Sequence, residues 1–507
     1  MIKISLGRKL LSNSFYLFLD WFIATFMGFL FWLISGKLLL KEDLGIVSTS
    51  FNLANILSGI STLGLGAAIW KLIPEYIAKK QEGKIFSLSK FSFKVILTSN
   101  IIIIFIFLTF ASQISSITNI PKDAVVLTGF MIFMLSMSGY AGMILYGFQN
   151  MKTFLLTDWW GILVKVVLSS LLLFLGFKYV GPIMGLIFCF FVISLLRFLK
   201  IPISGKDDKI NARFIIMHYA LPALVGFISS TLFLSGQYIL LSSLQNPGET
   251  GIYSIAMIIV TPIVVFPGIL TSALLPIISG LSANHNTKKQ RSRLIELVFR
   301  YTLFASFPAA LFLILFSKQV ILIFSRPEYL PASQFFPILS ISSLIYGLGN
   351  LFLSNIYAIG KTKTNRNITI LTTTIFFVTA VPLIKMFSSF GLAISYSISV
   401  FTMCLTSYIY LRKYIKINLP FMDSFKIVIS GLASLFVLYL LSTITQGFIV
   451  NIILVCFGSI VYLALLVLFG FYKEEDVKLL NITSEKFPKL KRYVDFIIKI
   501  ISLNKTI

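Results

Sequence analysis

Charge is scarce in this chain of 507 residues. Only 12% are Asp, Glu, Lys or Arg while 57% are hydrophobic, against about a quarter charged in a typical soluble domain. The 18 Asp and Glu residues are rarer still beside 43 Lys and Arg. Whole stretches lack charge altogether: Val95 to Ser116 and Phe130 to Phe148 are each long enough to cross a ~30 Å hydrocarbon core at ~1.5 Å per residue. The three cysteines, Cys189, Cys404 and Cys456, lie in apolar runs with no metal-ligand spacing and form no even-numbered framework. They are expected to be small core residues. No G-x-x-x-x-G-K-[ST] phosphate loop occurs. No segment between the apolar blocks exceeds about 40 residues, too short for the 50 or more of an ordinary soluble domain. A nucleotide-driven motor or a soluble catalytic domain within the chain is thereby excluded, leaving an ion gradient, a substrate gradient or a separate partner to supply energy. The first apolar stretch runs on past Trp32 without a small-residue cleavage pattern, so it is read as a span rather than a signal peptide.

What is present is a series of about fourteen spans. Cutting at polar breaks places them at 14–36, 45–69, 95–117, 124–148, 154–177, 180–199, 214–243, 252–279, 299–324, 334–358, 368–387, 390–410, 426–446 and 448–471. With the N-terminus inside, only Lys37, Lys41, Lys122, Lys178, Lys318, Arg326 and Lys385 fall outside, Lys165 falls within a span, and the remaining basic residues are all inner. That asymmetry obeys the positive-inside rule without one inverted loop and requires an even number of spans. The net charge of +25, which in a soluble protein would suggest nucleic acid, is therefore orientation, and no nucleic-acid partner is expected. The reading is a multi-pass protein of the cell (cytoplasmic) membrane with both termini cytoplasmic.

The chain also repeats itself. Asp43-Leu-Gly-Ile-Val-Ser48 leads into span 2 and Glu249-Thr-Gly-Ile-Tyr-Ser254 into span 8. Each copy continues through a Gly-containing helix to a proline, Pro74 or Pro276, and a Lys-rich inner loop. The expected organisation is an N-terminal lobe over 1–200, a C-terminal lobe over 210–412, spans 13 and 14 over 425–472, and a cytoplasmic tail over 473–507. In the tail, Leu490, Tyr493, Val494, Ile497, Ile500 and Ile501 oppose Lys489, Arg492, Asp495 and Lys499 at helical spacing, as in a basic amphipathic helix on the anionic inner leaflet.

Several motifs resemble the polysaccharide transporter family, the Wzx-type lipid-linked oligosaccharide flippases of the multidrug/oligosaccharidyl-lipid/polysaccharide exporter superfamily. They are Gly36-Lys-Leu-Leu-Leu-Lys-Glu-Asp-Leu-Gly45, Gly64-Leu-Gly-Ala-Ala-Ile-Trp-Lys-Leu-Ile-Pro-Glu-Tyr76, Gly251-Ile-Tyr-Ser-Ile-Ala256 with Leu275-Pro-Ile-Ile-Ser279, and Ala358-Ile-Gly-Lys361. Their order and spacing cover roughly residues 10 to 415, the first twelve spans counted from the apolar blocks. The resemblance implies an all-α integral membrane fold, with two six-helix lobes in a V shape plus two C-terminal helices. It implies alternating access, with a lipid-linked oligosaccharide and membrane lipids as partners and a glycan polymerase or glycosyltransferases as associates. The sequence departs from the family pattern at Lys37, commonly Arg, and at Gln237 in span 7, often Asp.

A charge near the bilayer midplane costs at least ~2.5 kcal/mol, so ionisable residues within spans are functional candidates. Lys165, in the middle of span 5, is suited to an anionic pyrophosphate or to a structural ion pair with an acid on a neighbouring helix. Lys71 and Arg300, at the inner ends of spans 2 and 9, are candidate headgroup-attracting residues or ordinary topology signals. Asp20, inside span 1, and Asp158, seven residues before Lys165, are coupling-ion candidates for H+ or Na+. For Asp158 an ion pair with a loop lysine competes with that role. His218 reads as a hydrogen-bonded interfacial residue, and Glu75 as a cap or a partner of its loop lysines. Trp21, Trp32, Trp70, Trp159 and Trp160 read as interfacial belt, and Pro222, Pro262, Pro267, Pro308 and Pro382 as bending points. No cofactor, metal or catalytic residue is expected.

Translocation of a polyprenyl-pyrophosphate-linked oligosaccharide from the cytoplasmic to the outer leaflet is the leading expectation. The alternatives are a cation-coupled multidrug antiporter of the same superfamily, which needs buried carboxylates in both lobes, and a membrane glycan polymerase or ligase, which needs acids, bases or a metal in a large outer loop.

Overall fold

The computed structural model describes residues 2–202, 205–282, 288–444, 448–473 and 476–477. Among the described residues every regular element is helical. Hydrocarbon offers no water to an unpaired N–H or C=O, and a helix satisfies these groups within its own segment. The order is α1 Ile2–Leu38, α2 Lys41–Ser61, α3 Leu65–Ala78, α4 Glu82–Thr109, α5 Ala111–Thr118, α6 Lys122–Gly147, α7 Met151–Phe174 and α8 Val180–Phe198. Then follow α9 Ala212–Leu244, α10 Pro247–Ser282, α11 Lys288–Leu315, α12 Ser317–Phe324, a 3-10 segment Pro327–Gln334, α13 Phe336–Ala358, α14 Thr362–Tyr414, α15 Phe421–Ile444 and α16 Phe448–Leu468.

By length and composition, 12 helices of the described residues are able to cross a membrane. One of them, α14, has 53 residues and would be about 80 Å long if continuous, more than twice the hydrocarbon thickness. It is broken at Ser388 (φ 52, ψ −133), which divides it into spans 11 and 12. With α16 the total is about fourteen, as the hydropathy implied. The break falls at Ser388 rather than at Pro382, and helices also continue past Pro308. The turn is possible because position 391 is glycine: a Cβ there would stand 2.0 Å from the Leu383 carbonyl oxygen.

Span 2 departs from the expected single helix over 45–69. After Ser61 the chain passes through left-handed conformations at Leu63 (φ 48) and Gly64 (φ 73) before α3 begins. A Cβ on Gly64 would lie 2.1 Å from the Ala220 carbonyl oxygen, so backbone meets backbone where α9 passes. There α9 widens into a π-turn over Ile216–Ala220. The cause is Pro222, which cannot donate to the carbonyl four residues earlier and would clash with it in a regular α-helix. Of the expected bending points, this is the one where helical geometry changes.

The chain forms two compact units. The first comprises Met1–Ile259, Ile321–Phe335 and Arg366–Ser399, and the second Val260–Val320, Phe336–Asn365 and Val400–Ile507. A core of the first unit joins Leu65, Ala68, Ile69, Leu72 and Ile73 of α3 to Leu88 and Ile96 of α4, Met137, Tyr140 and Ile144 of α6, and Ala220 of α9. A second knot is polar. Ser61 and Ser136 hydroxyls lie 2.8 Å apart, and Asn100 Nδ2 reaches the Ser61 hydroxyl at 3.4 Å, joining α2, α4 and α6. Such bonds, about 0.6 kcal/mol each in membrane proteins, supply association that the hydrophobic effect does not provide within lipid. In the second unit Phe316, Leu438 and Leu454 pack together, the Tyr462 hydroxyl donates to the Phe304 carbonyl at 2.9 Å, and the Ser434 hydroxyl donates to the Gly458 carbonyl at 2.7 Å. Spans 13 and 14 thus pack on each other, and α16 is bound to α11. The amphipathic helix expected from Lys486 lies outside the described residues.

Cys189 is buried as expected, Cys404 is half-buried, and Cys456 is exposed, which corrects its assignment to the core. The lipid-facing side of a span is as apolar as its packed side, so hydropathy does not separate the two. Trp21, Trp70, Trp159 and Trp160 are exposed, whereas Trp32 packs edge-on against Phe31 and Phe51.

The two copies of the sequence repeat meet. A Cβ on Gly45 would lie 1.7 Å from the Pro247 carbonyl oxygen, and one on Gly251 would lie 1.9 Å from the Lys41 carbonyl oxygen. The helix starts of α2 and α10 therefore cross backbone to backbone at equivalent glycines, and neither neighbour is a side chain that can swing aside. Gly45→Ala and Gly251→Ala are each expected to cost about 1–3 kcal/mol, as overpacking does. Thermal unfolding of the purified protein in detergent checks this, and a control Gly226→Ala, which has nothing within 4 Å, should unfold as wild type does.

Candidate functional site

Among the described residues of the first unit, α1, α7 and α8 gather the candidate charges. Here α1 packs along α7, and α7 along α8. Arg197, at the end of α8, is 5% exposed. Its Nη2 donates to Asp158 Oδ1 at 2.5 Å, its Nε to the Thr157 hydroxyl at 3.1 Å and its Nη1 to the Ser138 carbonyl at 2.9 Å. The guanidinium carbon stands 4.1 Å from the Phe154 ring centroid. A Cβ on Gly142 would come within 2.5 Å of Nη1, so glycine on α6 leaves the arginine its room.

Asp20 on α1 neighbours Asp158 across the packed α1–α7 pair, and the Arg197 charge acts on both carboxyl groups. Two carboxylates offer only acceptors, and a proton held between them would let one donate to the other. With that proton in place, one carboxyl charge remains against the single charge of Arg197. Without it, two negative charges face one positive charge in a low-dielectric setting. The cluster can therefore take up or release a proton, or hold a small cation in its stead. Asp158 does form the ion pair considered for it, but the partner is Arg197 of α8 and not a loop lysine.

Lys165 lies two turns further along α7, about 10 Å from Asp158 by helical rise. Its ammonium stands 5.1 Å from the ring centroid of Phe31, on the same α1 that carries Asp20. Among the described residues no carboxylate forms an ion pair with Lys165. The ring face partly offsets the charge, and the ammonium retains its capacity for an anion.

The other candidates are placed differently. Lys71 on α3 is exposed, with its Nζ 5.0 Å from the Tyr219 ring centroid at the π-turn of α9. Glu75 forms a salt bridge of 2.5 Å with Lys79 one turn on, and this lysine holds its carboxyl below the usual value. His218 stacks on Phe214 with centroids 4.3 Å apart, and its Nδ1 is 3.3 Å from the Phe214 carbonyl oxygen. Gln237, where an acid was sought in span 7, is buried; it accepts from the Tyr253 hydroxyl at 2.7 Å and donates to the Leu234 carbonyl at 2.7 Å.

Arg300 lies in the second unit and its guanidinium is enclosed. Nη1 and Nη2 donate to the two carboxylate oxygens of Asp476 at 3.0 and 2.7 Å, Nη2 also donates to the Phe471 carbonyl at 2.6 Å, and Nε is 3.2 Å from Asp423 Oδ2. The Phe471 ring covers the guanidinium at 4.2 Å, and Lys473 pairs with Asp423 at 2.6 Å. Two cations thus balance two carboxylates at 4% and 6% exposure. Arg300 joins α11 to α15 and to the segment after α16, where Asp423 and Asp476 balance its charge.

Arg197 was not recognisable as a site residue from sequence. It stands at the end of span 6, where the charge asymmetry reads a basic residue as ordinary topology, and its partner is 39 positions away.

These features define a polytopic, all-helical membrane protein with a small group of buried charges in its first eight helices. The sequence model of the polysaccharide biosynthesis protein family matches residues 10–282. The chain belongs to that family. No curated protein sequence matches the chain. Among solved structures it is similar to the lipid II flippase MurJ in an inward closed conformation, with a TM-score of 0.70 at 18% identity over 89% of this chain and 98% of that one. It is similar as well to a multidrug resistance MATE family transporter in an inward-facing conformation, with a TM-score of 0.63 at 15% identity over 78% of this chain and 94% of that one. A transporter from Pyrococcus furiosus of the same superfamily matches with a TM-score of 0.55 at 16% identity over 80% and 95%. At these identities the likeness shows the MurJ/MATE-like fold.

The Arg300 cluster yields a prediction. Burial raises the Asp476 pKa, but hydrogen bonds from Arg300, the Lys473 amide and Tyr301 outweigh it and hold the group below its ordinary value. A depressed folded pKa contributes stability that is complete above the ordinary carboxylate value of about 3.9 and is lost as pH falls through the folded one. Arg300→Gln, which strands two buried carboxylates with one lysine, is expected to cost about 3–5 kcal/mol at neutral pH. Unfolding midpoints measured from neutral pH into acid should fall below about pH 4 for the wild type. For Asp476→Asn they should start lower and decline less.

Proposed function

We propose that the protein carries a polyprenyl-pyrophosphate-linked oligosaccharide from the cytoplasmic to the outer leaflet by alternating access between its two six-helix lobes. The observation that carries the reading is Lys165: a midspan ammonium without a carboxylate partner among the described residues, in a chain of the polysaccharide biosynthesis family. A pyrophosphate entering hydrocarbon needs compensation for its charge, and an ammonium on α7 offers it, while the lipid tail stays in the bilayer. Lys71, exposed on the basic side, attracts the headgroup before capture. Arg300 has an anchoring role in this reading, since its charge is balanced by Asp423 and Asp476. Proton or sodium exchange at Asp20 and Asp158 powers the return. Both termini are cytoplasmic, and glycosyltransferases that build the glycan and a polymerase that consumes it are the functional partners.

A second reading, a cation-coupled multidrug antiporter, is favoured by the Asp20–Asp158 pair, since buried carboxyl groups also suit cationic cargo. It is opposed by Gln237 at the span 7 position where a second acidic site was sought.

The test uses purified protein in vesicles and follows transfer of a pyrophosphate-linked headgroup between leaflets. Lys165→Ala should slow transfer about 10- to 100-fold, the worth of one hydrogen bond to a charged group, and Lys165→Arg should restore part of it. Undiminished transfer by Lys165→Ala at equal protein level would remove this residue from the mechanism. In the same vesicles an imposed proton or sodium gradient should accelerate the wild type and leave Asp20→Asn unaffected. Organic-cation exchange without headgroup transfer would decide for the antiporter.

A further inference from the structure

The second unit holds a feature that the transport reading leaves unused. A cavity of about 960 Å³ opens between the start of α11 and the last turn of α14 with the segment that follows it. Six cations line it, Lys288, Lys289 and Arg293 from the first side and Arg412, Lys413 and Lys416 from the other, and Glu296 is the one carboxylate among its lining residues.

The cavity is braced rather than incidental. The Ser292 hydroxyl lies 2.6 Å from the Lys416 carbonyl oxygen and 2.7 Å from Glu296 Oε1, and that oxygen accepts from the Asn418 amide at 2.8 Å. These bonds pin the segment 416–418 against α11 and consume the lone carboxylate in doing so. The two basic rows are thus held face to face. Tyr414, another lining residue, has Lys361 standing 5.3 Å from its ring centroid, and its hydroxyl lies 3.1 Å from that of Thr364. Arg412 and Lys413 rest near the rings of Tyr408 and Tyr410 at 5.7 and 4.9 Å. Among the described residues, Lys288, Lys289, Arg412, Lys413 and Lys416 form no ion pair with a carboxylate.

Cations held around a shared cavity repel one another unless an anion lies between them. The arrangement lies at the ends of helices long and apolar enough to cross a membrane, among the basic residues that the sequence assigns to the inner side. Basic pockets between helices at that level suit anionic headgroups. Arginines present paired donors to phosphate oxygens, and lysines add compact charge.

We propose that this cavity is a binding site for the phosphate of an anionic membrane phospholipid, with Arg412, Lys416 and Lys289 as its principal contacts and the Ser292–Glu296–Asn418 bonds as the brace that holds its two sides in register. Its ligand is structural or regulatory and separate from the cargo. The proposal does not depend on the transport reading, and it is tested by binding alone.

Full-length protein in neutral detergent is titrated with phosphatidylglycerol, with phosphatidylcholine and with inorganic pyrophosphate, using native mass spectrometry for bound lipid and thermal unfolding for stability. Phosphatidylglycerol should bind and raise the unfolding midpoint, phosphatidylcholine should do neither, and pyrophosphate should compete only at far higher concentration. The variant Lys289→Gln/Arg412→Gln/Lys416→Gln should lose at least tenfold in phosphatidylglycerol affinity. A control that removes three basic residues elsewhere on that side, Lys80→Gln/Lys84→Gln/Lys152→Gln, should bind as the wild type does. Should the cavity variant unfold without lipid, the single Arg412→Gln carries the same comparison with a smaller loss. Equal losses in cavity variant and control would reduce the effect to general surface charge and overturn the site. Protection by pyrophosphate at the concentrations where phosphatidylglycerol acts would reassign the cavity to a soluble phosphate ligand.

Discussion

An isolated charge in hydrocarbon is costly enough that three basic side chains of this protein are arranged around avoiding that cost. Arg197 meets Asp158, a threonine hydroxyl, a backbone carbonyl and the face of Phe154. Arg300 is shared between Asp423, Asp476, the Phe471 carbonyl and the Phe471 ring. Lys165 has an aromatic face and no carboxylate among the described residues. The two arginines are each tied to the structure by several bonds at once. The lysine retains a charge that a ligand is able to complete, and the functional reading follows from that difference.

The same economy explains why Asp20 and Asp158 stand together. Two carboxyl groups beside a single guanidinium leave one charge unbalanced unless a proton or another cation joins them. Such a cluster has two occupancy states with different net charge, and the proposed coupling to an ion gradient rests on that difference. Lys165 and Asp158 share one helix and Phe31 and Asp20 share another, so the anion candidate and the cation candidate are connected through rigid elements.

Helix approach is governed by a second constraint, the absence of side chains at a few positions. Gly45 and Gly251 let the starts of α2 and α10 cross at backbone distance, and Gly64 does the same for the path of α9. Within lipid, apolar surface alone does not draw helices together, so close backbone contact and buried hydroxyl bonds do more of the work. The repeat that includes both glycines was visible in sequence, but that its copies touch one another was not.

The sequence by itself determined a set of about fourteen apolar segments matched to the bilayer, and the uneven sharing of basic residues between alternate loops, because both depend on local composition. It also marked Lys165, since a charge amid twenty apolar residues needs no partner to be noticed. Tertiary structure decided the rest. It paired Asp158 with Arg197 instead of a loop lysine, broke span 2 at Gly64 and the long α14 at Ser388, placed Cys456 on an exposed face, and committed Arg300 to the C-terminal helices. Apart from the break at Ser388, which the nearby Gly391 permits, these depend on groups far apart in the chain, and hydropathy, which reads a packed surface and a lipid-facing one alike, has no means of telling which of them will meet.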